Sequence, residues 1–243
     1  MWTQKVLRAE MKRTWITLWR YPLETLSRVV TMGIFVVVAW AGLRAAFFAK
    51  QGTLGASGAL LWPLVLTGFG VPAGYIEEDI KLGTIEQLYL SAPTMLGLLH
   101  VRYAVAFLET LLTVVPLWVL AGFYMGWATV GRWLVVQVVP LGISLYGLGL
   151  VLGGLALRAR RLGELLNALY FVLFALAVVS WPQKGIWPWA GHFFPMVGVS
   201  AMPTWPAGWW LRYPAALLYL LAGMWAFRRM EETAKRRGLI GRY

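Results

Sequence analysis

The side chains that could carry out chemistry are few in this 243-residue chain. It contains no cysteine, which excludes disulfides, thiol nucleophiles and thiolate metal sites. The two histidines, His100 and His192, are far apart in sequence and do not indicate a metal site. No G-x-x-x-x-G-K-[ST] motif occurs, so the sequence lacks the phosphate-binding loop of an ATPase. We therefore expect no catalytic residue, no metal and no cofactor bound by this chain.

The acidic residues are densest in one short segment. Glu77-Glu78-Asp79 opens a connection that extends to about residue 100. Thr84, followed three residues later by Gln87, matches a helix capping box, and Pro93 predicts the end of a helix of about two turns. Its apolar residues Ile85, Leu88 and Tyr89 would be available on one face to dock into a partner. An ordinary connector is the alternative interpretation.

The elements that position these residues are long apolar runs. The composition is 60% hydrophobic and 13% charged, whereas soluble domains are about 45–50% apolar and about 25% charged. Because a bilayer-spanning helix needs about 20 apolar residues, we predict an all-α polytopic membrane protein. Its single domain, residues 1–243, would have six spans: Val29–Phe48, Gly58–Ile76, Ala104–Tyr124, Trp133–Leu157, Leu162–Ser180 and Leu211–Phe227.

The distribution of basic residues predicts the orientation of these spans. The net charge is +12, and six spans with a cytoplasmic N-terminus place 17 basic residues inside and five outside. This satisfies the positive-inside rule. Both termini, including the basic tail at 228–243, are then cytoplasmic in a multi-pass protein of the cell inner (plasma) membrane. The positive charge is explained by topology, so no nucleic-acid partner is expected.

The first 24 residues interleave basic and aromatic side chains at helical spacing, which predicts an amphipathic helix in the cytoplasmic membrane interface. Pro22 would mark its end. Its partners would be membrane lipids, and its interfacial residues are Arg8, Lys12, Arg13, Trp15, Trp19 and Arg20.

The predicted outer connection at 181–210 carries too many large aromatic residues for a solvated loop. Tryptophan favours the membrane–water interface, and non-helical backbone at membrane depth must be buried or line a cavity. We predict an outer re-entrant segment between spans five and six, either a lid or an interfacial girdle. The candidate gate residues are Trp187, Trp189, Phe193, Phe194 and Trp205.

Together these features resemble the membrane subunit of an ABC-2-type ABC transporter. The sequence GTIEQLYLSAP at residues 83–93 is similar to the GTLEQLLLSP segment of that family. The resemblance implies that the loop at 77–100 couples the subunit to a separate ATPase, which binds ATP and Mg. The coupling residues would be Glu77, Glu78, Asp79, Gly83, Thr84, Ile85, Glu86, Gln87, Leu88, Tyr89 and Pro93.

The same resemblance implies that the chain is a transport subunit and not an enzyme. Two membrane subunits, either identical or homologous, would pair across a pathway that exports an amphipathic, lipid-like or drug-like substrate. A close alternative is the haem-exporter membrane subunit of cytochrome c maturation, which is similar in size and fold.

Two further candidate sites each have a functional and a structural interpretation. Glu109 lies within the third predicted span, where burying an acid costs free energy. It either lines the translocation path or forms a structural pair with Arg44, Arg132 or a helix-end amide. Gly55-Ala56-Ser57-Gly58 resembles the G-x-S-G of rhomboid intramembrane serine proteases, with His192 as the candidate base. Nothing in the sequence brings Ser57 and His192 together.

Overall fold

A computed structural model describes residues 2–23, 26–27, 30–31, 33–34, 54–91, 94–125, 137–159, 162–178, 193–194 and 209–237. This part of the chain is helical and contains no strand, which confirms the predicted all-α class there. The main elements are α1 (Trp2–Arg20), α2 (Leu54–Lys81), α3 (Ile85–Ser91), α4 (Met95–Met125), α5 (Val139–Ala159), α6 (Gly163–Val178), a 3-10 turn (Trp209–Leu211) and α7 (Arg212–Arg236).

Two helices are long and apolar enough to cross a membrane. They are α4, over Met95–Leu112, and α5, over its full length, while α6 contains a shorter apolar stretch, Gly163–Leu176. Helices α2, α4, α5, α6 and α7 overlap the predicted second to sixth spans, with bounds that differ by up to nine residues. Most of the predicted first span lies outside the described residues, so the number of six spans stays a prediction.

Helix α5 lies at the centre of the bundle because glycines let its neighbours approach closely. A Cβ added at Gly147 would lie 2.3 Å from the Tyr219 carbonyl oxygen of α7. A Cβ at Gly223 would lie 2.1 Å from the Gly147 carbonyl oxygen. Both distances are far below van der Waals contact, so only glycine permits this backbone-to-backbone packing.

On the side facing α2, α5 uses a second pair of glycines. Pro72 of α2 has no backbone N–H, so the carbonyl of Gly68, four residues earlier, loses its usual helical donor. A Cβ at Gly149 would lie 2.7 Å from that carbonyl oxygen, and one at Gly153 would lie 3.3 Å from the Pro72 carbonyl oxygen. The small residues of this stretch therefore serve packing within the chain.

Side-chain contacts between the helices give their relative directions. Helices α2, α5 and α7 run parallel, since later residues of one contact later residues of the next, as in Gly149–Gly68 and Gly153–Ile76. Helix α4 runs the opposite way to α5: Tyr103 donates a hydrogen bond to the Gly142 carbonyl at 3.0 Å, while His100 contacts Tyr146 edge to face. Helix α6 likewise runs opposite to α2, since Tyr170 contacts Phe69 and Phe174 contacts Trp62. This alternation is the one that consecutive spans require. The end of the bundle that carries α3 is called the α3 end below.

Candidate functional site

The turn between α2 and α3 is built around a single glycine. Gly83 has a φ of +66°, a left-handed conformation that favours glycine. Its N–H donates to the Ile80 carbonyl at 3.1 Å, and the next N–H, of Thr84, donates to the Asp79 carbonyl at 3.0 Å. These two bonds form a Schellman motif, which ends α2 and starts α3 within three residues. The glycine-threonine pair of the predicted coupling segment therefore sets the angle at which α3 leaves the bundle.

A buried charge cluster joins this turn to two other helices. The Arg102 guanidinium of α4 lies 2.6 Å from the Asp79 carboxylate of α2 and 3.5 Å from the Glu10 carboxylate of α1. It also lies over the Tyr75 ring, 5.0 Å from the centroid. Arg102 and Asp79 are both buried, where a charge needs a partner. The cluster fixes α1, α2 and α4 to one another beside the turn.

Thr84 extends the cluster into α3. It occupies the predicted N-cap position. Its hydroxyl donates to Asp79 and lies 3.4 Å from both the backbone carbonyl oxygen and a carboxylate oxygen of that residue. The N–H of Leu88 donates to the Thr84 carbonyl at 3.1 Å, which closes the first turn of α3. Asp79 is thus shared between the cap of α3 and Arg102 of α4. A displacement of α3 would act on that ion pair.

The apolar face of α3 corrects one expectation. Ile85 is 1% exposed and belongs to the hydrophobic core, and Leu88 and Tyr89 pack against the same core. This face therefore packs against the chain's own helices and is not available to a partner. Burial of its apolar side chains within the bundle stabilises the folded chain. The opposite side carries Gln87, which is exposed, and Leu90, which is 90% exposed.

Leu82, in the α2–α3 turn, is also exposed, at 66%. Leu82 and Leu90 therefore flank α3 as two uncovered apolar side chains. We refer to Leu82, Gln87 and Leu90 as the outer surface of α3.

A second contact holds α3 from the other side. The Lys235 ammonium of α7 lies over the Tyr89 ring, 4.7 Å from the centroid, and pairs with Glu231 at 2.8 Å. Burial, followed by the negative charge of Glu231, raises the pKa of the Tyr89 phenol. On the same short helix, the Glu86 carboxylate is half-buried and one of its oxygens accepts no hydrogen bond from the described residues. Helix α3 is therefore linked to α7 as well as to α4.

The predicted interface helix carries its aromatic residues on the outside. Trp15 and Trp19 are exposed and contact each other, with ring centroids 5.8 Å apart. Arg8, Lys12 and Arg20 are exposed as well; Arg13 lies on α1, but its side chain is outside the described part. The helix ends at Arg20, just before Pro22 as predicted. Exposed tryptophans beside exposed cations are typical of a helix at a membrane surface.

The other predicted site residues do not form one cluster in the part of the chain that the structure describes. Phe193 and Phe194 are exposed, while Trp187, Trp189 and Trp205 of the outer region lie outside the described residues. So does Pro93. Glu77 pairs with Lys81 at 2.9 Å, and Glu78 is exposed.

Glu109 is half-buried in α4 and has an interaction partner. The two alternatives for this residue both stay open. Of the candidate serine–histidine pair, the Ser57 side chain and His192 are outside the described part of the chain.

The structure also reveals functional candidates that sequence reasoning missed. From the sequence, Arg102 and Lys235 are explained by the positive-inside rule alone, and nothing distinguishes Glu10. Their partners lie up to 146 positions away along the chain, as for Lys235 and Tyr89. The one available signal was that Arg102 stands eight residues inside α4, an unusual place for a charge in an apolar helix.

Searches against protein-family models, curated proteins and solved structures found no match to this chain.

Proposed function

We propose that this chain is the membrane-spanning subunit of an ATP-driven exporter of the ABC-2 type, powered by a separate ATPase that docks on the outer surface of α3. The proposal combines the resemblance of residues 83–93 to the family's coupling segment with the geometry of the α3 end. Two copies of the chain would enclose the pathway, since one copy offers few helices to surround a substrate.

One observation carries the proposal: α3 is fixed on its inner side and uncovered on its outer side. Its start is linked to Arg102 of α4 through Thr84 and Asp79 of α2, and its inner side contacts α7 through Tyr89 and Lys235. Its outer side presents Leu82 and Leu90 to solvent. A short helix and its preceding turn that together expose two leucines at a bundle end are expected to have a partner, because covering those apolar side chains is favourable.

The same contacts suggest how motion would be transmitted. ATP binding would close the two ATPase subunits and displace α3. Because the Thr84 hydroxyl bonds Asp79 of α2, which holds Arg102, this displacement would reach α4 through α2. It would reach α7 through the contact between Tyr89 and Lys235. Helix α5, packed between α2 and α7 through glycines, would then be shifted with them. This is alternating access driven from the α3 end, with the substrate expected to be amphipathic or lipid-like and to move outward.

The experiment that tests the proposal is purification of the chain from its native membrane in mild detergent, followed by mass spectrometry of the proteins that remain bound. We expect a stoichiometric partner that contains Walker motifs. The variant Leu90→Ser should lose this partner. Leu165→Ser, which removes an exposed leucine at the start of α6, is the matched control and should keep it. A preparation that preserves other membrane complexes but yields this chain without an ATPase would contradict the proposal.

A further inference from the structure

A pocket of about 510 Å³ lies between α3, the first turn of α4 and the last turns of α7. Its volume is in the range of small-molecule sites. Met95 and Leu96 of α4 are buried and supply apolar lining, together with the half-buried Met224 of α7. The polar lining comes mainly from α7, whose charged residues alternate in sign along its last three turns.

Two of the charged residues that line the pocket already pair with each other, and two do not. Lys235 and Glu231 form an ion pair at 2.8 Å. Arg228 and Glu232 also line the pocket, both are exposed, and neither forms an ion pair with another described residue. They are four residues apart on α7, which places a cation and an anion on one helix face about 6 Å apart along the axis. The pocket therefore offers one positive and one negative group to a ligand.

An exposed apolar stripe leads along α7 to this pair of charges. At 100° per residue, Leu221, Trp225, Arg228 and Glu232 fall on the same helix face. Leu221 is 60% exposed and Trp225 is 65% exposed. In chain order the face thus passes from an uncovered leucine, through a tryptophan, to an arginine and then a glutamate. That order matches the acyl chain, glycerol region, phosphate and amine of a phospholipid, with the tryptophan at the interfacial level it favours.

We propose that this pocket binds the headgroup of an aminophospholipid of the phosphatidylethanolamine kind. The phosphate accepts hydrogen bonds from Arg228, the primary ammonium donates to Glu232, and an acyl chain lies along Leu221 and Trp225. Glu232 would distinguish this headgroup by its positive charge and by its N–H donors. A choline ammonium has no N–H to donate to Glu232, and a glycerol headgroup brings no cation to it. The inference requires that α7 contacts a bilayer, as in the proposed function, but it does not require an ATPase.

The test is native mass spectrometry of the full-length chain, with any partners it retains, after exchange into mixed micelles that contain equal amounts of phosphatidylethanolamine, phosphatidylcholine and phosphatidylglycerol. The wild-type chain should retain phosphatidylethanolamine about fivefold more than either other lipid, the scale expected for one solvent-accessible charged contact. Free phosphoethanolamine, which lacks the acyl chains, should not displace the lipid at equal concentration.

Variants of Arg228 and Glu232 test the phosphate contact and the ammonium contact independently. Arg228→Gln should lower retention of all three lipids. Glu232→Gln should abolish the preference for phosphatidylethanolamine over phosphatidylcholine without lowering total retention. Arg236→Gln and Glu164→Gln remove exposed charges that do not line the pocket and should leave the pattern unchanged.

Three results would overturn the inference: equal retention of the three lipids by the wild-type chain, a preference for phosphatidylglycerol, or an unchanged preference in Glu232→Gln. None of these depends on whether an ATPase partner is found, so failure of the proposed function remains distinguishable.

Discussion

Arg102 of α4 holds Asp79 of α2 at 2.6 Å in a site where both side chains are buried. Asp79 is also the residue whose carbonyl and carboxylate accept hydrogen bonds from Thr84, the cap of α3. A single carboxylate therefore connects the cap of the proposed coupling helix to a helix of membrane-spanning length. This relationship gives a structural role to Asp79, the last of the three acidic residues before the glycine-threonine turn, and it yields the first prediction.

Removing one member of the Arg102–Asp79 pair should be strongly destabilising. Arg102→Met leaves the Asp79 carboxylate buried without its cation, and we expect a loss of about 3–5 kcal/mol in the free energy of unfolding. The double variant Arg102→Met/Asp79→Leu should recover much of that loss because the buried carboxylate is removed together with its cation, which leaves only the more exposed Glu10 of the cluster. Thermal unfolding in detergent measures both. Additive losses in the double variant would show that the two residues are not coupled.

Two glycine-to-alanine substitutions, one in α5 and one in α2, should have opposite effects on the free energy of unfolding. Gly147→Ala would drive a Cβ into the Tyr219 carbonyl, 2.3 Å away, and should cost about 1–3 kcal/mol by forcing α5 and α7 apart. Gly74 is exposed on α2, and a Cβ there has no neighbour within 4 Å. Gly74→Ala should therefore stabilise the chain by about 0.5–1 kcal/mol. The difference in melting temperature between the two variants is the readout, and equal effects would contradict the packing.

The environment of Tyr89 predicts a dependence of stability on alkaline pH. Burial, with the charge of Glu231, raises the pKa of its phenol in the folded chain. The folded state therefore favours the protonated phenol, and this contribution is fully present below the ordinary tyrosine pKa of about 10. It is lost progressively as the pH rises above that value towards the folded-state pKa. The melting temperature of the wild-type chain should consequently fall more steeply above pH 10 than that of Tyr89→Phe.

Below that pH the two proteins should have the same melting temperature to within a few degrees, because Phe keeps the ring that contacts Lys235. Parallel curves for the two proteins over the whole range would show that the phenol does not titrate as its environment requires.

The absence of cysteine makes the topology directly testable, since any introduced thiol is the only one. A thiol introduced by Leu90→Cys, at the α3 end, should react with a membrane-impermeant maleimide only after the cell is opened. Phe194→Cys lies in the predicted outer region and is exposed, so it should react in intact cells. Labelling of both positions from the same side would contradict the predicted orientation.

The helices could be predicted from the sequence, but their contacts could not. Long apolar runs identified the helical segments because helix length and apolarity are local properties, and Thr84 with Gln87 predicted the start of α3 for the same reason. Arg102–Asp79 and Lys235–Tyr89 join residues 23 and 146 positions apart. Nothing local specifies such pairs. The orientation of α3 was misjudged for a related reason: an amphipathic helix shows which residues share a face, but the same pattern suits burial in its own chain and docking to another.

The most direct test of the central claim is cross-linking of the outer surface of α3 to an ATPase. With the otherwise cysteine-free chain in its native membrane, we expect Leu82→Cys and Leu90→Cys to form a nucleotide-dependent cross-link to a Walker-motif protein through a short thiol–amine reagent. Leu218→Cys, an exposed position on the apolar part of α7, should form none. Equal yields at all three positions, or no cross-linked ATPase when the variants are folded and reactive, would contradict the account.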